Sequence, residues 1–122
     1  MLLKLIRSLL GQIILGLDGV FQPKPIQRSQ EAQLLLDAQT KKLSLYEFKA
    51  CPFCVKVRRV IKKLGLKIEL RDAQGNPSYR QELIEKGGML QVPCLRIEKD
   101  SGEVQWLYES DDIIQLLKKQ FA

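Results

Sequence analysis

The chain has 122 residues, 45% of them hydrophobic and 28% charged, a composition that suits one soluble domain with a modest core and a short appendage. It contains no histidine, which excludes a Cys–His nucleophilic pair, a metalloprotease centre and a Cys/His zinc finger, and three cysteines are too few for a closed zinc site. The net charge of +6 is evenly spread, six basic against three acidic residues over 1–42 and fourteen against eleven over 43–122, and no nucleic-acid motif accompanies it, so nucleic acid is not expected as a partner.

Residues 1–21 form an apolar segment broken by Lys4, Arg7, Gln12 and Asp18. Its longest charge-free stretch runs only from Ser8 to Leu17, well short of the ~20 apolar residues of a spanning helix. A basic start followed by an apolar run imitates a secretory signal, but the small-residue cleavage pattern is missing. The pattern predicts a helix lying in a membrane surface with Lys4 and Arg7 near anionic headgroups, or alternatively a helix packed on the domain or on another subunit. Pro23 and Pro25 close the segment. A linker helix follows over 28–42, with Ser29 as its cap and Leu34, Leu35, Leu36 and Ala38 as its apolar content. The first 42 residues thus form an extension, and 43–122 a domain.

From Leu43 the pattern changes. Leu43, Leu45, Tyr46 and Phe48 suggest a buried strand. The next helix points Val57, Val60, Ile61 and Leu64 inward and ends at Gly65. Leu66, Ile68 and Leu70 alternate with Lys67 and Glu69 as a second strand. Asn76-Pro77-Ser78 opens a helix that runs to Gly87-Gly88. Cys94, Leu95 and Ile97 then pair with the run from Val104 to Tyr108 as a hairpin across Asp100-Ser101-Gly102, and Ser110 caps a last helix. The order is β-α-β-α-β-β-α.

The chemistry lies in Cys51-Pro52-Phe53-Cys54, set at the junction of the first of these strands and its helix. Two thiols two residues apart can form a reversible disulfide, and two clustered cysteines in a set of three point to a reducing compartment. Pro52 suits a first helical turn, so Cys51 lies where unpaired backbone N–H groups favour a negative sulfur and should attack; Cys54, one turn on, should resolve the mixed disulfide. The dense basic run Lys56, Arg58, Arg59, Lys62 and Lys63 has no acid within it. It reads as a solvated helix face that also attracts an anionic thiol. Cys94 reads as a small buried hydrophobe, and Trp106 and Tyr108 as core or rim.

This order of elements around Cys-Pro-Phe-Cys resembles the glutaredoxins and the amino-terminal domain of glutathione transferases over about residues 43–122. The resemblance implies an α/β thioredoxin-like fold: a four-stranded mixed sheet with flanking helices, here with an amino-terminal helical extension. It implies a cis peptide bond at Val92-Pro93, with the backbone of Val92 pairing with the glutathione peptide and Pro93 facing the cysteine motif. Tyr108-Glu109-Ser110-Asp111 resembles the loop that binds the γ-glutamyl end: Ser110 and the helix N–H groups would hold the carboxylate, and Glu109 or Asp111 the α-amine. Phe53 and Lys49 complete the expected glutathione site, although Lys49 stands two residues before Cys51 where glutaredoxins place a lysine three before. Gly87-Gly88 also precedes the proline loop instead of lying near the last helix, and a chain ending at Ala122 leaves no room for a transferase's helical second domain.

The expected activity is therefore glutathione-dependent thiol–disulfide exchange through Cys51 and Cys54, with glutathione as co-substrate, disulfide or glutathionylated proteins as substrates and no metal. The location expected is cytoplasmic, peripheral on a membrane through residues 1–21. The alternatives are an adaptor that binds glutathione or a partner thiol without turnover, and glutathione-ligated iron–sulfur carriage, a role of single-cysteine members.

Overall fold

A computed structural model describes residues 2–20 and 24–121. The elements in chain order are α1 (Leu2–Val20), α2 (Gln30–Thr40), β1 (Leu43–Glu47), α3 (Pro52–Lys63), β2 (Glu69–Asp72), α4 (Pro77–Gly87), β3 (Cys94–Glu98), β4 (Val104–Leu107) and α5 (Ser110–Phe121). Phe21 and Pro23, read above as the end of the first segment, lie outside the described residues. Among those described, no helix is long and apolar enough to cross a membrane.

The sheet order is β2-β1-β3-β4, with β1 parallel to β2 and antiparallel to β3, and β3 antiparallel to β4. This is the thioredoxin-like architecture. β1 is central and buried along its whole length, so its alternation sorts side chains between two cores. Leu43 and Leu45 join Leu95 on one face, covered by Val57, Ile61 and Leu64 of α3 and Ile113, Leu117 and Phe121 of α5. Tyr46 and its register partner Cys94 face the other way, into a cluster with Ala73 and with Leu83 of α4. Each fully buried leucine contributes about 2 kcal/mol, so these two layers hold the sheet in place. Arg71 ties α4 to it, donating to the Tyr46 hydroxyl at 2.7 Å and to Glu82 at 2.6 Å.

Local signals set the helix ends. The Ser29 hydroxyl accepts the Ala32 N–H at 3.2 Å, and the Asn76 side chain accepts the N–H of Ser78 at 2.9 Å, with Pro77 at the first helical position. Gly88 closes α4 in the left-handed region at φ 93° and donates to the Ile84 carbonyl.

Two expectations change. The second strand starts at Glu69, opposite Ser44, not at Leu66; Leu66 and Ile68 are buried as their alternation required, but they plug the α3 side of the core before the ladder begins. The linker helix α2 also packs: Leu36 enters the core, while Leu34 and Leu35 stay in solvent. The Arg28 guanidinium ahead of it reaches the Leu64 carbonyl and, at 3.1 Å, that of Phe121, so one side chain closes the carboxyl ends of α3 and α5.

Candidate active site

Cys51 is the N-cap of α3, with Pro52 at the first helical position, and its backbone N–H donates to the Phe48 carbonyl at 3.2 Å. Its side chain makes no capping hydrogen bond and is half-buried, whereas Cys54 is fully buried, and all three cysteines are free. Burial pushes the Cys54 thiol up to about 12; a hydrogen bond to the Cys51 side chain and the charges of Cys51 and Glu47 add to this, while a backbone hydrogen bond from Phe48 opposes it. One accessible sulfur and one sealed, protonated sulfur therefore stand a helical turn apart.

The loop that presents Cys51 is fixed from behind. Arg58, one turn beyond Cys54, donates to the Glu47 carboxylate at 2.8 Å and to the Lys49 carbonyl at 2.7 Å. Both side chains of the pair are nearly buried, 16% and 6% exposed, so the pair spans the end of β1 and the turn into α3 in a low-dielectric setting. The basic run on α3 is a solvated face at Lys56, Lys62 and Lys63, as expected, but not at Arg58. Arg58 is committed to Glu47, and Lys56 meets Asp111 of α5 at 3.0 Å. The second pair is solvent-exposed and worth little energetically.

Phe53, between the two cysteines, lines a cleft of about 190 Å³ together with Gln91, Val92, Pro93, Glu109, Ser110 and Asp111; Cys51 and Cys54 are not among its lining residues. Six of these are residues that the motifs singled out. The Val92-Pro93 peptide bond is cis. Across the cleft, Glu109 caps α5 from the left-handed region, φ 69°, a conformation rare outside glycine. It accepts the Ile113 N–H at 3.1 Å, leaving the first N–H groups of α5 directed outward around the buried Ser110. Gln91 reaches the Glu109 carboxylate at 3.4 Å. The arrangement can take an anionic carboxylate at the helix start and a cation at Glu109.

Lys49 is not among the cleft residues; its side chain is exposed and its carbonyl is occupied by Arg58. Gln91 had no signal beyond its nearness to the Val-Pro pair, and the Arg58–Glu47 clamp had none. Behind the cleft, Cys94 is fully buried, and its thiol is pushed up to about 11 by burial, with Tyr108 hydrogen-bonded to it. The Tyr108 hydroxyl also donates to the Gly87 carbonyl at 2.9 Å, and burial raises it to about 12. Gly87 makes that approach feasible, because a Cβ there would stand 2.7 Å from the Tyr108 hydroxyl. Among the described residues, no group of three or more His, Cys, Asp or Glu side chains could hold a metal ion.

Known proteins give this geometry a setting. The chain is similar to prostaglandin E synthase 2 of Danio rerio, 42% identical over 77 residues that make up 63% of this chain and 19% of that protein. It is similar to prostaglandin E synthase 2 of Mus musculus, 34% identical over 121 residues, 90% of this chain and 30% of that protein. The chain thus spans less than a third of the length of these curated relatives. Among solved structures it resembles maleylacetoacetate isomerase of Anaeromyxobacter dehalogenans with bound dicarboxyethyl glutathione and citrate, with a TM-score of 0.51 and 25% identity over 66% of this chain and 37% of that one. Residues 45–122 match the family described as glutathione S-transferase, N-terminal domain. With the sheet order and the cleft at the start of α3, this match means that the chain belongs to the glutathione S-transferase N-terminal domain family, within the thioredoxin-like superfamily.

Proposed function

We propose that the protein is a glutathione-dependent thiol–disulfide oxidoreductase with Cys51 as nucleophile. One observation carries the reading: the half-exposed Cys51 stands at the start of α3, two residues before Phe53, which lines a cleft whose other walls offer an anion site at α5 and a carboxylate at Glu109. Dicarboxyethyl glutathione in the similar isomerase supports a glutathione-type ligand here. The γ-glutamyl carboxylate meets Ser110 and the α5 N–H groups, the α-amine meets Glu109, with Asp111 nearby, and the peptide runs along Val92, Pro93 and Phe53.

The Cys51 sulfur attacks the glutathione sulfur of a mixed disulfide. A Cys51–glutathione disulfide forms and the substrate leaves as a thiol, taking the electron pair of the broken bond and a proton. A second glutathione then attacks, yielding glutathione disulfide and restoring the Cys51 thiol. Cys54 is the alternative resolving group, but its protonated, buried state favours clearance by glutathione. Glutathionylated proteins are the substrate class, and the working site is the cytoplasmic surface of a membrane, held by α1, which leaves large apolar side chains in solvent beside Lys4 and Arg7.

The test is glutathione-dependent reduction of a small glutathione mixed disulfide by the parent and both single Cys→Ser forms. Cys51→Ser should abolish turnover and Cys54→Ser should retain it; parent-level turnover without Cys51 would refute the assignment. The names of the similar proteins, a synthase and an isomerase, favour a second reading in which the same cleft holds glutathione for a rearrangement. Glutathione binding with no disulfide turnover in the parent would select it, or the non-catalytic adaptor.

A further inference from the structure

At the other end of α3 lies an open groove of about 550 Å³. Its floor is Ile26, Val60 and Leu64. Lys24, Arg59, Lys63 and Lys118 line it too, and among the described residues no carboxylate does. Among the described residues, Lys24, Lys63 and Lys118 form no ion pair. The groove is held in shape by the Ile26 N–H, which donates to the Lys63 carbonyl at 2.9 Å, and by Arg28 across the ends of α3 and α5.

The chain that forms its wall comes directly from α1. Eight large apolar side chains of α1, from Leu2 to Leu15, are 40% to 75% exposed. Gly11 meets Ala50 just ahead of α3, so α1 touches one end of α3 and its continuation touches the other. Four peptide units keep Lys24 within about 15 Å of Val20. A helix in a bilayer surface buries its apolar side about 5–10 Å into the boundary between headgroups and acyl chains. A groove tethered within that reach of a bilayer-bound helix can meet the headgroups.

We propose that this groove clamps the phosphate of an anionic phospholipid while α1 lies in the same bilayer; the proposal rests on the membrane reading of α1 given above. Ammonium groups on the rim take the phosphate oxygens, and the apolar floor takes the glycerol and first methylenes. Charge complementarity selects this occupant, because a cationic rim around an apolar floor repels a second copy of itself and suits an amphiphile with a negative head.

The test is co-sedimentation of the full chain with vesicles of phosphatidylcholine alone, and of phosphatidylcholine mixed with phosphatidylglycerol. The parent should prefer the mixed vesicles. The triple variant Lys24→Gln, Lys63→Gln, Lys118→Gln should lose about a hundredfold of that preference, at about fivefold per lysine, and bind neutral vesicles as before. Its circular dichroism and thermal midpoint report that it folds. A control triple at Lys41, Lys86 and Lys99 should lose far less; an equal loss would replace the clamp by diffuse attraction and overturn it. Binding to mixed vesicles that survives the first triple sinks the clamp alone. Failure of the parent to sediment with either vesicle, or a stable dimer that covers α1, sinks the membrane reading beneath it. Release from mixed vesicles by inorganic phosphate, at matched ionic strength, would assign the groove to a free anion instead and overturn the lipid proposal.

Discussion

Replacing Glu109 by glycine should make the protein more stable and a poorer binder of glutathione. The residue holds φ 69°, which costs an L-amino acid about 1–2 kcal/mol. Glycine removes that cost but adds about 0.5–1 kcal/mol of backbone entropy lost on folding. Among the described residues, the side-chain hydrogen bond forfeited is the exposed 3.4 Å contact with Gln91, near the limit of a real bond. The net gain is about 0.5–1 kcal/mol, or roughly 2–5 °C in Tm for a chain of this size. Under the binding mode proposed above, loss of the Glu109 carboxylate should weaken glutathione binding about 10- to 100-fold, the range for a hydrogen bond to a charged group. Glu109→Ala separates the effects, since it keeps the strained backbone and removes the same carboxylate: equal loss of affinity, no gain in Tm. Calorimetric unfolding and glutathione titration read both. A Glu109→Gly protein that melts no higher than the parent would remove the strain argument, and one that binds glutathione like the parent would remove Glu109 from the site.

Alkylation with iodoacetamide at neutral pH should label Cys51 at least tenfold faster than Cys54 or Cys94, given burial and raised thiols at both; comparable labelling of Cys54 in folded protein would contradict its sealed position. Stability should fall on the alkaline side. Cys54, Cys94 and Tyr108 have folded values above 9.0, 9.0 and 10.0, so their contribution is intact below about 9.0 and is lost as pH rises towards 11 and 12. Urea unfolding across that range should show the decline, and Cys54→Ala should flatten it; an unchanged slope would deny Cys54 its part. Gly87→Ala should destabilise by about 1–3 kcal/mol, because the new methyl meets the Tyr108 hydroxyl at 2.7 Å and Trp106 at 3.1 Å. A thermal midpoint equal to the parent's would show that Tyr108 yields freely.

Much of the architecture was legible because its signals are local. Asn76-Pro77 starts α4, Gly88 stops it, and the Cys-Pro-Phe-Cys junction marks the turn from β1 into α3. The second strand was misplaced because burial alternates at Leu66 and Ile68 whether or not the backbone is paired, and pairing begins only where Ser44 can reach Glu69. The cleft was legible where motifs carry it, at Phe53, Val92, Pro93, Glu109, Ser110 and Asp111. What stayed hidden depends on partners distant in sequence. The basic run of α3 was judged by the acids within it, while its counter-charges are Glu47, eleven residues before Arg58, and Asp111, fifty-five after Lys56. Lys49 was expected from the resemblance, one position off the usual lysine; its carbonyl accepts from Arg58 and it is not among the residues lining the cleft.

The double grip of Arg58 makes the guanidinium a splint whose two arms need two different nitrogens. A lysine would have to reach both acceptors from one nitrogen, without the planar fork that fixes them now. The turn carrying the reactive sulfur would then breathe, and the angle at which Cys51 meets an incoming disulfide would become a distribution instead of a fixed trajectory. If Cys51 reacts as proposed, its reactivity is tuned by a side chain outside the cleft, and the choice of cation seven positions downstream is a choice about aim.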